Sequence, residues 1–231
     1  MKYVLSLDGG GIRGVIPAVV LTEIEKITGK RIAESFDLIA GTSTGGILAL
    51  GLCVDDGSNK PKFSALELSK LYIDEGSTIF NRSFWDGMSS VGGLTNEKYS
   101  EKGLEEVLDK YLSTTLLKES LTKTLITSYD IKNRKPVFFK SWKEEHLLLE
   151  MRKIARATSA APTFFEPAKF MFEGEETPLI DGGIFINNPC VSAYVEALKI
   201  FPNEEIKVIS IGTGELTREI EYEKAKDWGK L

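Results

Sequence analysis

The chain is poor in the residues that most often carry nucleophilic chemistry or staples. It has one histidine, His146, and two cysteines, Cys53 and Cys190, far apart in sequence. Cys53 lies in an apolar run, where a small buried thiol is the ordinary reading, so a disulfide framework is not expected. No stretch reaches the roughly 18 apolar residues of a membrane span. Before Asp8 there is a single lysine and a short apolar run, too brief for a signal-peptide core. An excess of positive charge is also missing. With 29 Lys and Arg against 34 Asp and Glu the formal net charge is -5, which argues against nucleic acid as the main partner. A membrane surface reached through apolar contacts remains open. What is present, 231 residues at 42% hydrophobic and 27% charged, suits one globular domain with its own core. A soluble, cytoplasmic protein is expected, with export by a leaderless route, as bacterial effectors use, left open.

Short β-rich runs alternate with helical patterns. Strands are predicted at 2–7, 36–41, 124–131, 136–141, 178–183 and 206–213, and helices at 14–28, 44–53, 64–75 and 97–112. This alternation predicts an α/β fold of parallel strands joined by crossover helices. The 206–213 run, dense in β-branched residues, reads as a central strand covered on both faces. A glycine- and serine-rich patch at 81–93 carries Phe84, Trp85 and Met88. It is either a loop that tucks its aromatics inward or a lipid-facing lip. Neither repeat nor linker is evident, so a single domain spans 1–231.

Two motifs follow strands. "LDGGGIRG" (7–14) satisfies G-x-G-x-x-G through Gly9, Gly11 and Gly14. A dinucleotide site would want an acidic residue at the end of the second strand, but Asp37 stands at its start and no G-K-[ST] follows the glycines. At the far end of that second strand lies "GTSTG" (41–45), a G-x-S-x-G elbow between a strand and an almost wholly apolar helix. Gly41 and Gly45 make room for a sharp turn that lifts the Ser43 hydroxyl clear of the sheet. The helix N-terminus points partial positive charge toward it. If both strands are parallel neighbours, the backbone N–H groups of Gly10 and Gly11 can face Ser43 as donors to an oxyanion. Arg13 adds a positive charge, toward a phosphate head group or in holding the loop.

A serine nucleophile needs a base. His146 sits among charged residues ahead of a helical pattern and reads as a surface or helix-start residue rather than a triad member. "LIDGGIFINNP" (179–189) offers a carboxylate instead. Asp181 ends an apolar strand and precedes Gly182 and Gly183, and partial desolvation would raise its pKa and make it a better base. Asn187, Asn188 and Pro189 read as the brace of that loop.

"DGGGIRG" (8–14), "GTSTG" (41–45), "ATSAAPTFFEP" (157–167) and "DGG" followed by "NNP" (181–189), in this order, resemble the patatin-like phospholipases. The resemblance covers nearly the whole chain. It implies a three-layer α/β/α sandwich with a mainly parallel sheet, and a Ser43/Asp181 dyad without histidine. It also implies an oxyanion hole at Gly9, Gly10 and Gly11, and no metal or cofactor. Acyl esters of phospholipids or lysophospholipids at a membrane or micelle surface are the implied substrates. A transacylase on the same site, or a phosphate-binding module using the glycine loop, are the alternatives. Members of the family usually continue well past the strand that here reads "KVISIGTGE". The sequence is therefore read as either a trimmed piece or a short form, with completion of its C-terminal end by a partner or by self-association left open.

Overall fold

The computed structural model describes residues 1–76, 101–172 and 174–215, with Glu219, Glu221, Tyr222 and Lys226. The aromatic patch with Phe84, Trp85 and Met88 and the start of the 97–112 helix lie outside these residues.

One seven-stranded sheet organises the described chain. Strand β1 (Lys2–Leu7) pairs in parallel with β2 (Leu38–Gly41) on one side and β7 (Ile206–Ile211) on the other, and β2 pairs in parallel with β3 (Lys123–Asp130). Beyond β3 the direction changes. Strands β4 (Lys135–Lys140) and β6 (Glu175–Asp181) are antiparallel to β3, and β5 (Ala168–Phe172) is antiparallel to β6.

The register on β3 positions everything that follows. Strand β4 occupies one edge of β3 from Leu125 to Asp130, and both β2 and β6 overlap that span. A strand has two edges, so β2 and β6 share the other one and meet nose to nose. Gly41 at the end of β2 pairs with Ile126, and Asp181 at the end of β6 pairs with Ser128. Two residues of β3, roughly 7 Å of strand, separate the two chain ends.

Side chains alternate across the sheet, as the two-residue period of a strand dictates. Leu5, Leu7, Ile39 and Ile126 face a large core against helices α1 (Val15–Thr28), α3 (Thr44–Leu52), α4 (Ala65–Ile73), α5 (Glu101–Leu112) and α6 (Met151–Thr158), while α2 (Ile32–Ser35) is a single turn. Val4, Leu38, Ala40 and Leu125 face the opposite side, where Ala193 and Ala197 of helix α7 (Cys190–Ile200) pack on them. Three α/β/α layers result. The small residues Ala193 and Ala197, at i and i+4 of α7, let that helix sit close to the sheet.

One expectation is corrected. Among the described residues β7 pairs only with β1, and Lys207, Ile209 and Ser210 are exposed, so within these residues it stands at the edge of the sheet rather than covered on both faces. Its β-branched composition reports a fit to a pleated surface, which edge and centre share. Strand β5 and helix α7 were not anticipated.

Candidate active site

The elbow forms where β2 runs out. Ser43 adopts φ 54° and ψ -123°, a sparsely populated conformation for a residue with a Cβ, and α3 begins at Thr44. Such a conformation costs on the order of 1–3 kcal/mol and persists only when its surroundings over-determine it. They do so here. A Cβ on Gly45 would stand 2.3 Å from the Leu7 carbonyl oxygen, so only glycine lets the first turn of α3 press against the end of β1. The Ser43 backbone N–H donates to Thr158 Oγ1 at 2.9 Å. Thr42 Oγ1 donates to the Ile186 carbonyl at 2.9 Å, so Thr127 supplies the proton in its own 2.7 Å bond with Thr42. Gly41 packs against the Gly45 and Gly46 backbone beneath this turn.

Asp181 reaches the elbow from the opposite direction, at the end of β6. Ser43 Oγ donates to its Oδ2 at 2.5 Å, and the Gly183 N–H donates to its Oδ1 at 2.7 Å. Asp181 as a whole residue is 5% exposed. Burial pushes its pKa up to about 6, and the hydrogen bonds from Ser43 and Gly183 only partly offset that rise. Its backbone N–H donates to the Ala160 carbonyl at 3.0 Å, and Gly182 packs on Thr127.

The glycine loop lies beside the pair. A Cβ on Gly9 would stand 3.2 Å from Ser43 Cβ and 2.5 Å from Asn187 Oδ1, so the loop approaches the nucleophile only because that atom is missing. Asn187 clamps Gly9 twice: its carbonyl accepts the Gly9 N–H at 3.1 Å, and its amide donates to the Gly9 carbonyl at 3.3 Å. Thr213, just past β7, donates to the same carbonyl at 2.8 Å and packs against Gly10. The Gly9 N–H is thus committed within the protein. Gly11 opens a single 3-10 turn, Gly11–Gly14, and Gly14 packs on Thr44 and Tyr72. Arg13 donates to the Gly214 carbonyl at 3.3 Å, a contact between the glycine loop and the segment after β7.

Other expected residues lie farther from the pair. Asn188 donates to Ser210 Oγ at 3.1 Å and accepts the Cys190 N–H at 2.9 Å, tying the loop to β7 and to the start of α7. His146 is corrected: it is buried, not a surface residue. Its Nδ1 accepts the Lys140 N–H at 3.0 Å and its ring packs edge-on against Phe139, so it braces β4. Burial pushes the Cys53 thiol up to about 12, which leaves it without reactivity near neutral pH.

Sequence reasoning missed Thr158, Ala160 and Thr213, which hold the backbone of Ser43, Asp181 and Gly9. "ATSAAP" stood out as a stretch, but nothing in its spacing says that Thr158 faces the elbow. A separate cleft of about 480 Å³ opens between α5, α6 and β5, bordered by Glu105, Leu108, Arg152, Arg156, Glu166 and Phe170. Arg152 pairs there with Asp109 and Glu150, and Arg156 with Glu105. None of the site residues above lines it. Among the described residues no cluster of three or more His, Cys, Asp or Glu could hold a metal ion, and no helix is long and apolar enough to cross a membrane.

Comparison with known proteins gives this geometry a lineage. Among solved structures, VipD from Legionella pneumophila superposes with a TM-score of 0.55 over 98% of this chain and 52% of its own, at 13% identity, which supports the fold alone. Patatin-like protein 2 from Oryza sativa subsp. indica is 36% identical over 99% of this chain and 65% of its own length. Patatin-like protein 2 from Arabidopsis thaliana is 35% identical over 99% of this chain and 64% of its own. The chain thus spans about two thirds of the length of these relatives. A family model, patatin-like phospholipase, matches residues 5–194, a span holding the glycine loop, the elbow and the aspartate turn, and the chain belongs to that family.

Proposed function

We propose that this chain is a lipid acyl hydrolase that cleaves fatty-acyl esters of phospholipids or lysophospholipids with a Ser43/Asp181 dyad. The observation that carries the reading is the 2.5 Å hydrogen bond from Ser43 Oγ to a buried carboxyl whose pKa is raised to about 6. Such a carboxylate is ionised at neutral pH yet far more basic than a solvated one, as a proton acceptor in the transition state must be. The description of the family, patatin-like phospholipase, supports a lipid ester as the substrate class.

In the first half-reaction Ser43 Oγ attacks the ester carbonyl carbon as its proton passes to Asp181 Oδ2. The carbonyl oxygen becomes an oxyanion held by the Gly10 and Gly11 N–H groups, since the Gly9 N–H is already bonded to Asn187. Collapse breaks the bond to the leaving oxygen, which takes the proton from Asp181 and departs as lysolipid or glycerol derivative, leaving an acyl ester on Ser43. In the second half water attacks that ester while giving a proton to Asp181. The fatty acid leaves, and the proton returns to Ser43 Oγ.

The test is labelling with a fluorophosphonate ester mimic, read by intact mass, beside hydrolysis of phospholipid in mixed micelles. Wild type and His146→Asn, which keeps an acceptor for the Lys140 N–H, are expected to gain one adduct. Ser43→Ala and Asp181→Asn are expected to gain none. Hydrolysis retained by folded Ser43→Ala overturns the reading, and an acyl product found only on an added alcohol acceptor turns it into transacylation.

A further inference from the structure

The backbone N–H of a strained nucleophile and the backbone N–H of its base both end on one short segment. Thr158 Oγ1 accepts from Ser43 N at 2.9 Å, and the Ala160 carbonyl accepts from Asp181 N at 3.0 Å. The two acceptors lie two residues apart, at the C-terminal end of α6. Thr158 is fully buried, so no water stands ready to replace its hydroxyl. Its Cγ2 and Oγ1 lie where a Cβ on Gly46 would be, at 2.9 and 3.2 Å, so the side chain is wedged against the first turn of α3. Beneath the segment, Ser128 Oγ, opposite Asp181 on β3, lies 3.4 Å from the Ala157 carbonyl and donates to the Ile180 carbonyl at 2.7 Å, so the same hydroxyl touches the end of α6 and the end of β6.

This arrangement answers a need that the sheet leaves unmet. Strands β2 and β6 end nose to nose, so no ladder hydrogen bond joins Ser43 to Asp181. Their separation therefore rests on what bridges the gap. The Thr158–Ala160 segment does so from one side, holding the nucleophile through a side-chain oxygen and the base through a main-chain oxygen. A main-chain carbonyl is available from any residue at 160. The hydroxyl at 158 depends on residue type.

We infer that Thr158 is a positioning residue for the acyl-transfer reaction: its hydroxyl holds the Ser43 N–H, and with it the elbow conformation that sets the Ser43–Asp181 distance. The inference rests on the dyad reading above. Thr158→Val keeps the shape and both branches but removes the acceptor, leaving the Ser43 N–H buried without a partner. The elbow is then free to relax away from φ 54°, and displacement of a reacting group by about 1 Å costs up to ~100-fold in rate.

The experiment measures kcat and KM on a soluble fatty-acyl ester for wild type, Thr158→Val and Thr158→Ser, with the melting temperature of each. For Thr158→Val a fall in kcat of about 10- to 100-fold with KM changed less than about twofold is expected, because substrate contacts are untouched. Thr158→Ser, which restores the acceptor, is expected to recover to within about threefold of wild type. A Thr158→Val enzyme with kcat within twofold of wild type overturns the inference, as does a Thr158→Ser enzyme as slow as Thr158→Val, which would assign the effect to packing. Ser43→Ala, assayed alongside, separates the two claims. Full activity there removes the dyad itself, whereas a dead Ser43→Ala beside a fully active Thr158→Val removes only the role of Thr158.

Discussion

Asp130 and Asp181 end neighbouring antiparallel strands two register steps apart, and both are almost wholly buried, yet their pKa values are shifted in opposite directions. Burial pushes Asp130 up, but the Asn133 N–H at 3.0 Å, the Asn133 amide at 2.8 Å, the Lys132 N–H at 2.9 Å and the charge of Lys135 outweigh it. Its carboxyl stays below the usual range. Asp181 has one N–H and one hydroxyl, no cation, and a pKa pushed up to about 6. The number of fixed donors decides which buried carboxylate is structural and which is left basic. Turning the hairpin between β3 and β4 needs a satisfied anion, whereas a base must retain appetite for a proton.

The largest effect that follows is on rate. Asp181→Asn keeps the shape but cannot accept the Ser43 proton, and a fall in kcat of about 10,000-fold is expected, comparable to disabling the base partner of other serine hydrolases. In the wild type the acid limb of kcat should fall about tenfold per pH unit below the Asp181 pKa of about 6. A rate flat from pH 7 down to 4.5 would show that the carboxylate is not the base.

Next comes stability at Asp130. Asp130→Ala strands three donors at the hairpin, and a loss of about 2–4 kcal/mol is expected, read as a melting temperature lower by roughly 6–12 °C. Because the folded pKa of Asp130 lies below its unfolded value of about 3.9, its contribution is present above that value and fades as pH falls through the folded pKa. The stability gap between wild type and Asp130→Ala should therefore narrow as the pH is lowered below about 4. A gap that persists undiminished there would mean that the contribution is not that of the anion.

Asp181 predicts the reverse sign. Its folded pKa of about 6 exceeds an unfolded value near 3.9, so ionising it in the fold costs about 2–3 kcal/mol, fully above pH 6 and not at all below about pH 4. Asp181→Asn should accordingly melt several degrees higher than wild type at pH 8 and no higher at pH 4. An inactive variant that is more stable is the signature of a residue kept for chemistry. If the variant is less stable at pH 8, its bonds to Ser43 and Gly183 outweigh desolvation, and Asp181 resembles Asp130 more than its pKa implies.

These contrasts also show what the sequence made legible. The strand before the glycine loop, the elbow and the apolar helix after it were read almost residue by residue, because a two-residue period ending on glycine and a run of buried residues are local signals. Asp181 was legible as a turn carboxylate, but not its approach from the opposite direction, since antiparallel pairing of β6 with β3 is a register fact. Asp130 went unnoticed for the same reason: its burial comes from β4 and β6 closing both edges of β3. His146 was read as a surface or helix-start residue because of its charged neighbours, and its burial was not foreseen. A single 3-10 turn, Glu144–His146, rotates it inward onto Phe139 while Glu144 and Glu145 stay exposed. Thr158 and Thr213 act across gaps of more than a hundred residues, beyond any local pattern.

The smallest expected effect sharpens the comparison at the hairpin itself. Lys132 contributes two bonds there: its backbone N–H to buried Asp130, and its ammonium to Glu175 at 2.7 Å, a pair with both side chains about half exposed or more. On paper the charged bond is the shorter and stronger one. Water competes for the ammonium and for the carboxylate, and holding two long side chains costs entropy that the exposed pair barely recovers. The backbone N–H faces no such competitor. Lys132→Ala removes the ion pair and leaves that N–H in place, so its melting temperature should shift by less than about 2 °C, with little difference between low and high salt. A drop as large as that of Asp130→Ala would mean that the surface pair, not the ring of neutral donors, keeps the hairpin closed, and with it the explanation of why Asp130 and Asp181 differ would fail.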